Sequence, residues 1–185
     1  MNSMSFLIST LFDLYIMVVL LRIWLQAARA DFYNPFSQFI VKATQPVIAP
    51  LRRVIPSVGK LDLATVLFAF LLCVLKFVSL MLIASGGSVA FSADFLFLGL
   101  LSLVKAAGGL LFWVLLIRAI LSWVSQGRSP IEYVFHQLTE PMLAPIRRII
   151  PAMGGFDLSV LVLFIGLQFA NFLMGDLIGP IWFQL

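Results

Sequence analysis

Charged side chains embedded in apolar runs, or recurring in fixed register, are the residues of this chain that could do chemistry. Asp13 and Lys76 interrupt two long apolar stretches at similar depth. On adjacent antiparallel helices the carboxylate and the ammonium would meet, offsetting much of the cost of burying either. Lys105 is a competing partner for Asp13 from the next apolar stretch. A second set is duplicated. Pro46-Val-Ile-Ala-Pro50-Leu-Arg52-Arg53-Val-Ile-Pro56, with Gly59 and Asp62 after it, returns as Pro141-Met-Leu-Ala-Pro145-Ile-Arg147-Arg148-Ile-Ile-Pro151, with Gly154 and Asp157. Each shared residue recurs 95 positions on, as 46 becomes 141. Such recurrence marks a duplicated unit.

Pro50 and Pro145 suit a first helical position, and Pro56 and Pro151 forbid continuation, so the spacing predicts a helix of only a turn or two. Val47, Ile48, Leu51, Val54 and Ile55 gather on one side of the first copy. Met142, Leu143, Ile146, Ile149 and Ile150 do so in the second. An apolar wedge flanked by Arg52, Arg53, Arg147 and Arg148 reads as an interfacial segment whose guanidiniums reach anionic lipid phosphates. The plainer alternative is that these arginines only fix topology.

The elements that position these residues follow from composition. The chain has 185 residues, 62% hydrophobic and 11% charged, with mean hydropathy +1.11, outside the range of soluble domains. This is the composition of an integral membrane protein. Its formal charge of +4 reads as topogenic and lipid-facing, not as a nucleic-acid signal. Apolar runs at 5–27, 63–84, 98–124 and 158–178 are each long enough to cross ~30 Å of hydrocarbon at ~1.5 Å per residue. The fold class expected is therefore all-α, with four transmembrane helices in two parallel repeats. The first repeat spans 1–84, with an interfacial segment at 34–56. The second spans 95–185, with its segment at 129–151, and a short outer connection at 85–94 joins them. Ala28-Arg29-Ala30 resembles a cleavage site, but the first run lacks a preceding Lys or Arg, is too long for a signal and is repeated, so it reads as a retained helix.

Asn34-Pro35 and Ser129-Pro130 look like helix starts, the latter with Glu132 completing a capping box. Phe36, Phe39, Ile40 and Ala43, then Ile131, Val134, Phe135 and Leu138, form the apolar faces of two short amphipathic helices lying along the surface. Asp62 is placed to cap the following span. Arg22 and Arg118, near the ends of their spans, read as interface anchors that snorkel. A bend near Gly108-Gly109 would suit the long third run. The loops at 28–62 and 125–157 carry the Lys and Arg excess, whereas the N-terminus, 85–94 and the tail carry none. The positive-inside rule puts both repeated loops in the cytoplasm and both termini outside. Two spans per repeat give the copies the same orientation, unlike inverted-repeat transporters.

Catalytic signatures do not emerge. There is one cysteine, Cys73, and one histidine, His136, so neither an internal disulfide nor a multi-histidine metal site can be built from one chain. His136 reads as a solvated surface residue beside Glu132 and Glu140. No Walker loop, His-Glu-x-x-His, Gly-x-Ser-x-Gly or CxxC is present. The expectation is no enzyme, no catalytic residue, no cofactor and no metal.

The duplicated Pro-x-x-x-Pro-x-Arg-Arg-x-x-Pro with Gly-x-x-Asp-Leu at 59–63 and 154–158 resembles the YggT family of small bacterial and plastid membrane proteins. Arg118-Ala-Ile-Leu-Ser-Trp123 and Ser129-Pro-Ile-Glu132 add to the match, which covers nearly the whole chain. The resemblance implies a four-span protein of the bacterial inner membrane, associated with cell division, osmotic tolerance and potassium uptake, and in plastids with cytochrome assembly. It supplies no catalytic residues. Two functions are weighed. One is a non-catalytic inner-membrane scaffold or accessory factor, with anionic lipid and a membrane or cytoplasmic protein as partners. The other is a small transporter or channel component for ions or osmolytes, using Asp13, Lys76, Lys105, Gln168 and Asn171. Four spans scarcely enclose a pore, so that alternative requires a homo-oligomer.

Overall fold

A computed structural model of the chain describes residues 3–59, 61–88, 92–124, 129–150 and 158–185, without the side chains of Ser122 and Trp123. The described residues are helical, joined by turns. Four helices are long and apolar enough to cross a membrane: α1 (Ser3–Ala27), α3 (Leu63–Ala84), α4 (Asp94–Val124) and α6 (Leu158–Ile178). Between them lie α2 (Pro35–Leu51) and α5 (Pro130–Ile149), and α7 (Ile181–Gln184) ends the chain. α1 packs on α3, α3 on α4, and α1 also reaches α4. α2 lies on α1 and α3, α5 on α4 and α6, and α6 on α4. The core joins Ile16, Val19 and Leu20 of α1 to Ala69, Leu72 and Cys73 of α3 and Leu110 and Val114 of α4. At Gly99 α4 comes close to α3: a Cβ there would lie 2.5 Å from Val74 Cγ2 and 3.3 Å from its backbone nitrogen.

α2 and α5 correct the expectation of short, proline-cut segments. Each is one continuous helix running through two prolines, Pro46 and Pro50 or Pro141 and Pro145. A proline removes the bond to the carbonyl four residues back. All four prolines are exposed, so the orphaned carbonyls lie on the outer side, where a helix curving around a core already weakens its bonds. The opposite stripe, Ser37, Ile40, Thr44 and Ile48, is buried without interruption, as are Val134, Phe135, Leu138, Thr139 and Leu143. Packing of that stripe holds the helix where propensity would have broken it.

These stripes face protein. Ile40, Val134, Phe135 and Leu138 belong to the same core as α1 and α3, and the Phe36 and Phe135 rings lie 5.5 Å apart. Gln137 Oε1 also accepts from the Asp31 backbone N–H at 2.9 Å, tying the start of α2 to α5. Phe39, read as part of the apolar face, is instead exposed.

Asn34 caps α2, accepting from the Ser37 N–H at 2.8 Å with Pro35 at the first position. Ser129 makes no side-chain cap bond, so the expected capping box at α5 does not close through it. α4 is unbroken at Gly108-Gly109. Lys60, Arg128, Pro151, Gly154 and Asp157, all used in the reading of the sequence, lie outside the described residues. Gly99→Ala is expected to cost about 1–3 kcal/mol by forcing α3 from α4. Gly108→Ala, whose Cβ meets nothing within 4 Å, should be neutral or stabilising; thermal unfolding in detergent compares the two.

Candidate functional site

The end of the bundle that carries α2 and α5 is organised by arginine. Arg22 and Arg118 do not snorkel: they are 4% and 9% exposed. Arg22 Nη1 donates to Thr44 Oγ1 at 2.7 Å and to the Val41 carbonyl at 3.3 Å, and Nη2 donates to Gln45 Oε1 at 2.6 Å. Arg118 bonds Thr139 Oγ1 through Nη1 and Glu140 through Nη2 at 3.3 Å. Each threonine hydroxyl also donates 2.7 Å to the carbonyl four residues back, Ile40 or Phe135, which aims its lone pairs at the arginine. The correction has a simple cause. Acceptors on the adjoining short helix are closer than bulk solvent, and a buried guanidinium must be satisfied by hydrogen bonds.

Thr44, Gln45 and Thr139 were not expected in this role, and Glu140 was expected only as a neighbour of His136. The signal was present: Thr-Gln and Thr-Glu immediately precede Pro46 and Pro141, in the same 95-residue register as the motif.

The four motif arginines do not share one environment. Arg52 turns inward, donating through Nε to Asp62 Oδ2 at 2.6 Å and through Nη2 to Gln26 Oε1 at 2.8 Å. Thr65 Oγ1 donates to the same carboxylate oxygen at 2.5 Å. A tight turn makes this possible: Val58 and Leu61 exchange backbone bonds of 3.0 and 3.1 Å around Gly59, whose φ of +62° suits glycine. Arg147 Nη1 donates to both oxygens of Glu140, at 2.9 and 3.0 Å. Arg53 and Arg148 are exposed, with no ion pair among the described residues. Beside them Val54 and Ile149 are each 82% exposed. His136, also exposed, stands 3.3 Å from Glu140.

Asp62 is fully buried. Burial alone would raise its carboxyl, but the bonds from Arg52 and Thr65 outweigh it and hold the group below its ordinary 3.8. Because the folded-state value is depressed, this contribution to stability is fully present above the ordinary carboxyl value and is lost as pH falls through the depressed one.

At the other end, Lys76 Nζ donates to Asp13 Oδ1 at 2.7 Å. Lys76 is buried, whereas the Asp13 side chain is 46% exposed and also accepts from Ser9 at 3.2 Å. Lys105 is not part of this pair. Its Nζ donates to the Trp182 carbonyl at 2.6 Å, and Trp182 Nε1 donates to Asn171 Oδ1 at 2.9 Å. Lys76 also reaches the Leu185 carbonyl oxygen at 3.5 Å. α7, which sequence periodicity did not reveal, thus brings the tail against both lysines. Two cavities adjoin it. One of about 350 Å³ is lined by Lys105, Gln168, Asn171 and Trp182 among others, and one of about 390 Å³ by Ser5, Ser9, Lys76 and Gln184. Among the described residues no three His, Cys, Asp or Glu side chains gather as metal ligands.

Two measurements check these contacts. Asp62→Asn should destabilise by about 2 kcal/mol at neutral pH, a value reduced because Arg52 is partly exposed. It should also remove the loss of stability expected of wild type, in thermal unfolding, as pH falls from the ordinary carboxyl value through the depressed one. In a double-mutant cycle, Asp13→Asn and Lys76→Met should couple by about 1–2 kcal/mol; strict additivity would count against an energetic pair.

The family model described as CCB3/YggT matches residues 1–83 and 97–178. A Vibrio alginolyticus protein, described only as an uncharacterized protein in the proC 3' region, is 91% identical over the full length of both chains. The Escherichia coli (strain K12) protein, called uncharacterized protein YggT, is 54% identical over 171 residues, covering 92% of this chain and 88% of its own. An uncharacterized Haemophilus influenzae protein is 41% identical over 98% of this chain and 97% of its own. No solved structure matches the chain. With both halves of the sequence matched and relatives this similar along nearly all of it, the chain belongs to the CCB3/YggT family.

Proposed function

We propose that the chain is a non-catalytic scaffold or accessory protein of the bacterial inner membrane, in which α2 and α5 form two supports that dock on anionic lipid. One observation carries this reading. In each copy of the motif the first arginine is tied into the protein, while the second stands exposed next to an apolar residue that is 82% exposed, Val54 beside Arg53 and Ile149 beside Arg148. A fixed cation beside an exposed aliphatic side chain suits the headgroup–acyl boundary. Of the four arginines considered, Arg53 and Arg148 therefore make the lipid contact, and Arg52 and Arg147 hold the supports in place.

In this reading the two halves are parallel repeats, both motif loops face the cytoplasm and both termini lie outside, an orientation supported by the Lys and Arg excess of the motif loops. Firmly held supports suit a protein that presents a surface to a membrane or cytoplasmic partner in an envelope process such as cell division or osmotic tolerance. No step of bond chemistry enters this role.

A second reading, a component of ion or osmolyte transport related to potassium, draws on the two cavities beside Lys76 and Lys105. α7 stands against both lysines, so a path there would require the tail to move and several copies to assemble. Ion flux into liposomes holding only the folded protein, abolished by replacing Asp13 and Lys76 together, would favour it.

The test of the scaffold reading uses a spin label at Val54→Cys or Ile149→Cys in lipid nanodiscs. The label should sit deeper in discs containing phosphatidylglycerol than in phosphatidylcholine discs, and Arg53→Gln with Arg148→Gln should erase the difference. Equal depth in both lipids with the arginines intact would overturn the docking role.

A further inference from the structure

The two arginine clusters are built alike but place their carboxylates differently. In the second, Glu140 is one carboxylate bonded by both Arg118 and Arg147. In the first, the corresponding position is Gln45, 95 residues earlier, and it is neutral. Arg22 is therefore a buried cation whose hydrogen bonds go to neutral oxygens: the Thr44 hydroxyl, the Val41 carbonyl and the Gln45 amide. The carboxylate of this cluster, Asp62, is already held by Arg52 and Thr65. Each cluster thus has two arginines and one carboxylate among the described residues, but in the first the carboxylate lies on Arg52, and the buried Arg22 bonds none, where a cation without a counter-charge is costly.

A cavity opens at this place. It measures about 330 Å³ and is lined by Arg22, Gln26, Phe32, Val41, Gln45 and Arg52. The hydrogen-bond inventory of its four polar side chains is one-sided. Arginine carries donors only. Gln45 gives its amide oxygen to Arg22, and Gln26 gives its oxygen to Arg52. Because an arginine cannot accept, these contacts fix which way each amide points. Both glutamines are left with their NH₂ groups to offer. The wall of the cavity thus supplies guanidinium and amide donors, backed by Phe32 and Val41. At about 30 Å³ per water molecule, the space holds one tetrahedral oxyanion with part of its hydration shell.

We infer that the cavity between α1, α2 and Arg52 is a binding site for a phosphate group, held by Arg22, Arg52, Gln26 and Gln45. Charge-assisted bonds from two guanidiniums match the several acceptor oxygens of a phosphate. In the second cluster the arginine that corresponds to Arg22, Arg118, already bonds a carboxylate, Glu140. The phosphate can belong to a lipid headgroup or be free in solution. Its chemistry at the site is the same, and the two sources separate by experiment. Arg53 and Arg148 do not line this cavity, so failure here leaves their docking role standing, and the reverse also holds.

The test uses the whole protein purified in an uncharged maltoside detergent and phosphate-free buffer. Inorganic phosphate and dihexanoyl phosphatidylglycerol are titrated separately by calorimetry and by thermal unfolding, with zwitterionic dihexanoyl phosphatidylcholine as the comparison lipid. Saturable binding of inorganic phosphate assigns the site to the free ion. Binding of phosphatidylglycerol alone, at least tenfold tighter than phosphatidylcholine, assigns it to a lipid headgroup. In either case Gln45→Glu, which installs the carboxylate that the second cluster already has, should weaken binding at least tenfold while leaving the unliganded protein as stable as wild type or more so. Lys42→Gln, which removes an exposed cation of α2 away from the cavity lining, should change affinity less than twofold. If Gln45→Glu does not fold, Gln26→Glu places the carboxylate on Arg52 and is read the same way. Absence of binding by both probes, or wild-type affinity in a folded glutamate variant, would overturn the inference.

Discussion

A guanidinium buried near the end of an apolar helix constrains the rest of this structure. Arg22 and Arg118 cannot lose their charge at any physiological pH, and each must find acceptors where water is scarce. The acceptors come from the helix that follows in α2 and from the helix that precedes the next span in α5. In both cases a threonine hydroxyl and the adjacent amide or carboxylate do the work. Meeting that demand fixes where α2 and α5 lie, with their buried stripes against the bundle and their prolines outward. It also sets their rotation, because Thr44 and Thr139 must point at the arginine. The motif arginines inherit their roles from this rotation: Arg52 and Arg147 fall on the protein side, Arg53 and Arg148 on the other.

Proline, which in isolation ends a helix, here sorts its two sides. The bonds lost at Pro46, Pro50, Pro141 and Pro145 leave carbonyls on the exposed face, where solvent or headgroups can satisfy them. The buried face keeps its packing. A helix with weakened bonds on one side can follow the curvature of the bundle beneath it. The tight turn at Gly59 then returns the chain in time for Asp62 to meet Arg52, so that turn and ion pair close the α2–α3 connection together.

At the far end the logic is different. Lys76 and Lys105 enter the apolar layer from neighbouring helices, and two kinds of acceptor answer them. One is the Asp13 carboxylate; the other is the backbone of the tail, where the carbonyls of Trp182 and Leu185 approach the two ammonium groups. Asp13 is half exposed and already shared with Ser9, which leaves Lys105 to the tail. α7 is short and has no amphipathic pattern of its own. Its position comes from these contacts and from the close fit of Phe183 over Gly175.

Much was readable from residues alone because the forces involved are local or one-dimensional. The apolar runs at 5–27, 63–84, 98–124 and 158–178 agree with α1, α3, α4 and α6 to within a few residues, since burying a span's backbone demands a long apolar helix. The 95-residue recurrence, the cap at Asn34 and the approach of Asp13 to Lys76 from similar depths were legible for the same reason. What sequence could not decide was which acceptor each cation would choose. Arg22 and Arg118 could reach solvent or Thr44 and Thr139, and Lys105 could reach Asp13 or the Trp182 carbonyl. Those choices turn on distances of one or two ångströms set by how the helices rotate and pack. The same packing carried α2 and α5 through their prolines, placed α7, and left a buried arginine beside Gln45 where its counterpart meets Glu140. Sequence determined the spans and the cost of each charge within them; the tertiary structure decided how each cost was met.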